Sequence, residues 1–187
     1  LEIHRLLRDI MSSVTIVIPT LNRDSLVCAV NSVKAQTKPC ELIVIEDTER
    51  IGAGLSRNSA AQRITTPWTG FVDDDDTIDP RYVEWLEEEA GDNDVVVFRM
   101  QYMRTINFIK EGAVIPTPGD DQMRHGNVGI SFALRTPLLL RFPFIKEVDA
   151  HGINEDWIMM KNLMESGCKI HVSPRIAYFV RPTCIAE

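Results

Sequence analysis

Short runs of β-branched and apolar residues, each followed by a helical stripe, recur through the first hundred residues and restrict the folds open to this chain. Val14-Thr15-Ile16-Val17-Ile18, ended by Pro19, predicts a buried parallel strand. Ser25 to Gln36 carries Leu26, Val27, Val30 and Val33 at helical spacing. Leu42 to Ile45 predicts a second buried strand, and Gly52 to Ile64 a helix behind a glycine-rich turn. Gly70 to Val72 predicts a third strand that runs into a block of aspartates. Asp79 then caps a helix with Pro80 at its first position and Tyr82, Val83, Trp85 and Leu86 on its apolar side. Val95 to Phe98 predicts a fourth strand. Strand followed by helix, repeated in this way, is the signature of an α/β domain with a mostly parallel sheet flanked by helices. Ligands of such sheets sit at the carboxyl ends of the strands, so the residues after Ile18, Ile45 and Val72 share one edge.

The second half has a different texture. Gln101 to Asp121 is loop-rich or hairpin-like, with Pro116, Pro118 and Gly119. Gly129 to Leu134 predicts a strand and Thr136 to Arg141 a short helix, with Pro137 near its start. Glu155 to Ser166 predicts a helix closed by Gly167, followed by two last strands, Lys169 to Val172 and Ile176 to Val180, on either side of Pro174. A length of 187 residues suits a single compact domain whose core needs no disulfide staples. The four cysteines lack CxxC spacing, and reduced thiols in a cytoplasm-like compartment are expected. The apolar runs fall far short of the ~20 residues that cross a bilayer, so no membrane span is expected. Leu1 to Ile10 carries His4, Arg5, Arg8 and Asp9, which is unlike a secretory signal. Leu1 in place of Met points to a processed start, with Met11 as an alternative initiator.

The net charge of −7 is unevenly spread. Phe71 to Asp94 holds eleven acids and one base, Arg81. A field of that sign is poor at attracting nucleic acid or anionic lipid and suits a divalent cation. Within it, Asp73-Asp74-Asp75-Asp76 follow a hydrophobic strand. Adjacent carboxylates repel one another and are costly to bury, so their delivery to a sheet edge makes sense if a cation neutralises them. Hard oxygen ligands select Mg²⁺ or Mn²⁺, which commonly bridge one or two carboxylates to phosphates. A solvated acidic turn is the plainer alternative. Phe71 to Thr77 also fits the strand–DxDx[TV] pattern of haloacid-dehalogenase-like phosphatases, with Asp73 as nucleophile and Asp75 as acid/base. That family usually places this strand first. Here two strand–helix units precede it, and Asp120-Asp121 have no apolar run ahead of them.

Taken together, the chain resembles the family 2 glycosyltransferases of GT-A fold, from about Val14 to Arg181. Val14 to Arg23 is similar to that family's opening strand and PTxNR turn. Glu41 to Asp47 is similar to its second strand with a terminal acidic pair, and Gly54 to Ala61 to its RNxA segment. Phe71 to Pro80 resembles FLDxDDxxxP, which places a DxD motif at Asp73, Asp74 and Asp75. Asn154-Glu155-Asp156-Trp157, with Leu163 to Ile170 behind it, resembles the ED motif and its following helix and strand.

The resemblance implies a nucleotide-sugar-binding half at 14–99 and an acceptor-side half at 100–187. It implies that Asp47 accepts a hydrogen bond from the nucleotide base, that Arg57 lies against the base or diphosphate, and that Pro19, Thr20, Asn22 and Arg23 shape the nucleotide pocket. Asp73 and Asp74 would face the ribose and donor sugar, Asp75, with Asp73, would hold Mn²⁺ or Mg²⁺, and Asp156 would be the general base. Arg57 could otherwise be a surface helix arginine, and Glu155-Asp156 ordinary helix-start acids. The chemistry implied is a single displacement with inversion. A metal balances the charge of a departing nucleoside diphosphate while Asp156 takes the acceptor proton. A carboxylate among so many others is expected to have a raised pKa.

Leu21 stands where many relatives carry an aromatic residue, and Thr48-Glu49 replace a small Gly-Ser pair. The QxxRW signature of processive synthases is absent, which favours transfer of single sugars. The implied activity is transfer from a UDP-sugar in the cytoplasm. The acceptor is left open among glycan, protein, lipid-linked and nucleic-acid hydroxyls, as is the oligomeric state, and a non-catalytic nucleotide-sugar- or glycan-binding module is the remaining alternative. His125 and His151 in loops, His171 in a strand and Trp157 beside the ED pair are weaker candidates. The bases of residues 99–146 give that stretch a mild positive balance that could favour an anionic acceptor.

Overall fold

The computed structural model describes residues 12–119, 122–146 and 155–184. Asp120-Asp121, His151 and Asn154, named above, lie outside the described residues, as does the start of the chain. β1 (Val14–Thr20) is buried at every position. It is followed by α1 (Leu26–Lys34), β2 (Glu41–Glu46), α2 (Ala53–Ala60) with a 3₁₀ turn (Ala61–Arg63), and β3 (Trp68–Phe71). Then come β4 (Thr77–Ile78), α3 (Tyr82–Ala90), β5 (Val95–Tyr102), β6 (Val114–Ile115), β7 (Phe132–Arg135), α4 (Thr136–Arg141), α5 (Glu155–Glu165) and β8 (Ile170–Val180).

The eight strands of the described residues form one sheet in the order β2-β1-β3-β7-β5-β8-β4, with β6 on β5. Pairing β1 with β2 and β3, and β5 with β8, is parallel, whereas β7 is antiparallel to both β3 and β5. β1, β2, β3, β5 and β8 therefore all run one way, and their carboxyl ends share an edge. The expected mostly parallel α/β sheet is present. β7 enters its middle from the second half of the chain.

Four local expectations are corrected. β2 was expected to be buried, yet only Ile43 is, because β2 ends the sheet and has no strand beyond it. Asp79 caps the turn ahead of α3 instead of the helix itself: its carboxylate accepts the Arg81 N–H at 2.9 Å and its carbonyl the Tyr82 N–H at 2.9 Å. The two strands expected around Pro174 are one, β8, with register shifts against β5 after Val97. An exposed proline, lacking an N–H, is accommodated at such an irregularity. Finally, Cys28 on α1 and Cys184 beyond β8 form a disulfide with Cα atoms 6.0 Å apart, so the four thiols are not all reduced. Cys40 and Cys168 are free.

The core closest to the shared edge is aromatic. Phe71 at the end of β3 meets Phe132 and Phe144 edge-on, with centroids 5.7 and 5.2 Å away. Gly70 lets Tyr82 of α3 close onto β3, since a Cβ there would fall 2.9 Å from Ile16 Cδ1 and 3.0 Å from the Tyr82 hydroxyl. Among the described residues no helix is long and apolar enough to cross a membrane.

Candidate active site

The carboxyl ends of β1, β2, β3 and β8 converge with α2 and the start of α5 on a cleft of about 320 Å³. It is lined by Pro19, Thr20, Arg23, Asp47, Arg57, Asp73, Asp74, Asp75 and Asp156, with Leu21, Gly52, Ala53, Glu155 and Arg181. Every residue expected at the site except Asn22 is on that lining.

Arg57 organises the floor. It is 1% exposed, so it is no surface arginine. Its guanidinium lies 5.2 Å from the Phe144 ring and 6.0 Å from the Phe71 ring. It donates to Asp73 Oδ1 and, at 3.1 Å, to Glu155 Oε1, and stands 3.5 Å from Asp156 Oδ1. Burial opposes its charge, but the three carboxylates outweigh that and hold it firmly protonated. One buried cation thus joins the end of β3 to the first turn of α5.

Asp74 fixes the β1 turn. It is buried; its Oδ2 accepts the Thr20 hydroxyl at 2.7 Å and the Leu21 N–H at 3.2 Å, and its Oδ1 accepts from Arg23 at 3.0 Å. Asp47 plays a matching part beyond β2, where its two oxygens accept the Ile51 and Gly52 N–H groups at 2.8 Å each. Asn22 holds a left-handed φ of 59°, a region asparagine enters readily, donates its amide N–H to Thr20 Oγ1 at 2.8 Å and its side chain to Glu46. It shapes the turn without lining the cleft.

Asp75 carries two cations: Arg181 Nε at 2.9 Å and Arg23 Nη1 at 3.4 Å, both on Oδ2. Asp76 turns inward. It is 5% exposed, accepts the Arg181 N–H at 2.8 Å, and is pushed up to about 8 by burial first and the Asp73 charge second. Beside it the Tyr178 hydroxyl accepts the Asp73 N–H at 3.0 Å.

The sequence reading assigned no role to Arg181, Asp76 or Tyr178. For Arg181 a signal existed: it follows directly on Val180, the end of a predicted strand, and the strand-end rule puts that position on the same edge. Of the weaker candidates, His125, His171 and Trp157 do not join the cleft lining. His125 is exposed, its ring 6.1 Å from that of half-buried Trp157, and His171 Nε2 pairs with Glu89 at 3.0 Å.

The donor set fits a hard divalent cation. The ion pairs engage Oδ2 of Asp75 and Oδ1 of Asp73, which leaves each a second oxygen, and both carboxylates face the cleft. Among the described residues no three histidine, cysteine or acidic side chains converge into a ready-made cage.

Comparison with solved structures identifies this architecture. The chain superposes on S. aureus TarS 1-349 with a TM-score of 0.66 at 20% identity, covering 91% of this chain and 60% of that one. The chain has the GT-A fold. The same fragment in complex with UDP-GlcNAc gives a TM-score of 0.68 at 20% identity, over 94% of this chain and 60% of that one. The mannosyltransferase PcManGT from Pyrobaculum calidifontis, in complex with GDP-Man and Mn²⁺, gives 0.63 at 17% identity, over 91% and 57%. The GT-A domain described here thus spans about 60% of the TarS fragment. No protein-family profile matches the sequence, and no curated protein matches it.

Proposed function

We propose that this cleft binds a nucleotide-sugar, specifically a UDP-sugar, and transfers the sugar to an acceptor hydroxyl with inversion at the anomeric carbon. The observation that carries the reading is the convergence in one cleft of Arg23, Arg57 and Arg181 with Asp73, Asp75 and Asp156. Cations suit a diphosphate, and a carboxylate among them suits an acceptor proton. The bound UDP-GlcNAc and GDP-Man of the structural neighbours support it.

In this reading residues 14–99 supply most of the donor site, joined by Arg181, and the rest of the second half serves the acceptor. Asp47 and the β1 turn, fixed by Asp74, shape the nucleotide pocket. Arg23 and Arg181 place positive charge where the leaving diphosphate gains negative charge. Asp75 and Asp73 hold Mn²⁺ or Mg²⁺, which when bound balances the same charge. The acceptor oxygen forms its bond to the anomeric carbon as the bond to the diphosphate breaks, its electron pair leaving with the diphosphate. Asp156 takes the hydroxyl proton, and its pairing with Arg57 keeps the carboxylate in place for that step.

Thermal-shift measurement of the protein with nucleotide-sugars, with and without Mn²⁺, tests this. A larger stabilisation by one intact UDP-sugar than by UDP is expected, dependent on the metal. Equal indifference to every nucleotide-sugar, with or without metal, would overturn the reading.

A further inference from the structure

A second cavity, of about 210 Å³, adjoins the donor cleft. Asp73 and Asp156 line both. The two volumes therefore meet at the pair of carboxylates between which the proposed transfer takes place. Their walls differ in kind. Three arginines line the first, whereas among the described residues no lysine, arginine or histidine lines the second. Its polar end is Asp73, Asp76 and Asp156, and the remainder is largely apolar: Met100 and Tyr102 of β5, Ile109 and Ile115 around β6, and Val128 and Ile130 ahead of β7.

Resting on the donor reading above, we propose that this cavity takes the acceptor as a neutral pyranose residue, with a hydroxyl at Asp156 and a C–H face against the apolar wall. Sugar hydroxyls donate hydrogen bonds, and carboxylates accept them. A pyranose also presents a patch of C–H groups, which an apolar wall with one aromatic ring removes from water. An anionic acceptor would meet three carboxyl groups and, among the described residues, no lining cation. Two arginines of the positively balanced stretch 99–146 are engaged elsewhere, by backbone carbonyls. Arg99 donates to the Pro116 carbonyl, and Arg135 to the carbonyls of Gly91 and Asn93 at 2.9 and 3.2 Å. The volume lies below the ~300–1,000 Å³ of drug-sized pockets, which suits one monosaccharide unit.

Saturation-transfer NMR on the full chain tests the proposal. The probes are the methyl pyranosides of glucose, galactose, mannose and N-acetylglucosamine, with glucose 6-phosphate as the anionic counterpart, each with and without saturating UDP and Mn²⁺. At least one neutral pyranoside is expected to show contact at its ring C–H protons that UDP does not displace, and glucose 6-phosphate to show less. Ile109→Trp, at a half-buried position, and Tyr102→Ala should each weaken that contact at least tenfold while UDP affinity stays within about twofold. The proposal is overturned if no neutral pyranoside binds, if UDP displaces it, if the phosphorylated sugar binds better, or if neither variant changes binding. Failure of the donor reading shows separately, as absence of UDP binding, and leaves the pyranoside measurements to decide this one.

Discussion

Arg57 and Asp73 form an ion pair in which the cation is almost wholly buried and the anion stands at the mouth of the cleft. Arg57 comes from α2 and Asp73 from the end of β3, and the same guanidinium reaches Glu155 and Asp156 on α5. Removing it takes from three carboxylates the counter-charge they share. Arg57→Ala is expected to lower unfolding stability by about 3 kcal/mol. Urea denaturation checks this, and a loss below about 1 kcal/mol would contradict the bridging role.

Asp74 is expected to act on binding through the β1 turn. In Asp74→Ala the Thr20 hydroxyl and the Leu21 N–H lose their acceptor, at a cost of about 1–3 kcal/mol. UDP affinity should fall with it. Calorimetry that finds affinity and stability both unchanged would remove Asp74 from the donor site.

Asp75→Ala should abolish the Mn²⁺ dependence of UDP binding while the fold stays intact by circular dichroism. The informative comparison is UDP affinity with Mn²⁺ and with chelator in both proteins. A metal effect that survives in the variant assigns the cation to other residues.

Asp156→Asn should leave UDP-sugar affinity within a few-fold of the parent and reduce transfer by about 10²–10⁴. Single-turnover assays separate the two quantities. Full transfer by the variant would reject Asp156 as the base.

Non-reducing alkylation followed by mass spectrometry should label Cys40 and Cys168 and leave Cys28 and Cys184 joined. Burial pushes the Cys40 thiol up to about 11, so its labelling at pH 8 should be slow and should accelerate as pH rises toward that value. Cys28→Ser should cost about 2–4 kcal/mol of stability. Four thiols labelled without reductant would show the bridge to be absent.

What could be read in advance follows the range of the forces involved. The helix Thr136–Arg141 appears with the bounds its sequence predicts, and β1 and α1 lie within two residues of theirs, because periodicity and caps act over a few residues. That Thr20, Arg23, Asp47 and Asp73 to Asp75 share an edge was legible because they lie at or just beyond the ends of β1, β2 and β3, whereas Arg57 and Asp156 were singled out only by the family resemblance. Arg181 escaped notice because its place depends on β8 pairing in parallel with β5, about seventy-five residues earlier in the chain.

The chain's own order of residues determined an α/β sheet with acids delivered to one edge, since alternation of apolar runs and helical stripes leaves few other ways to bury both. Only the tertiary structure decided that β7 divides the parallel strands, that Cys28 meets Cys184, and that Arg57 is sealed among three carboxylates. It alone also revealed a second cavity meeting the first at Asp73 and Asp156. Each of these joins residues far apart in the chain. Nothing local distinguishes a strand that will pair at an edge from one that will enter the middle, or an arginine bound for the surface from one that will be enclosed.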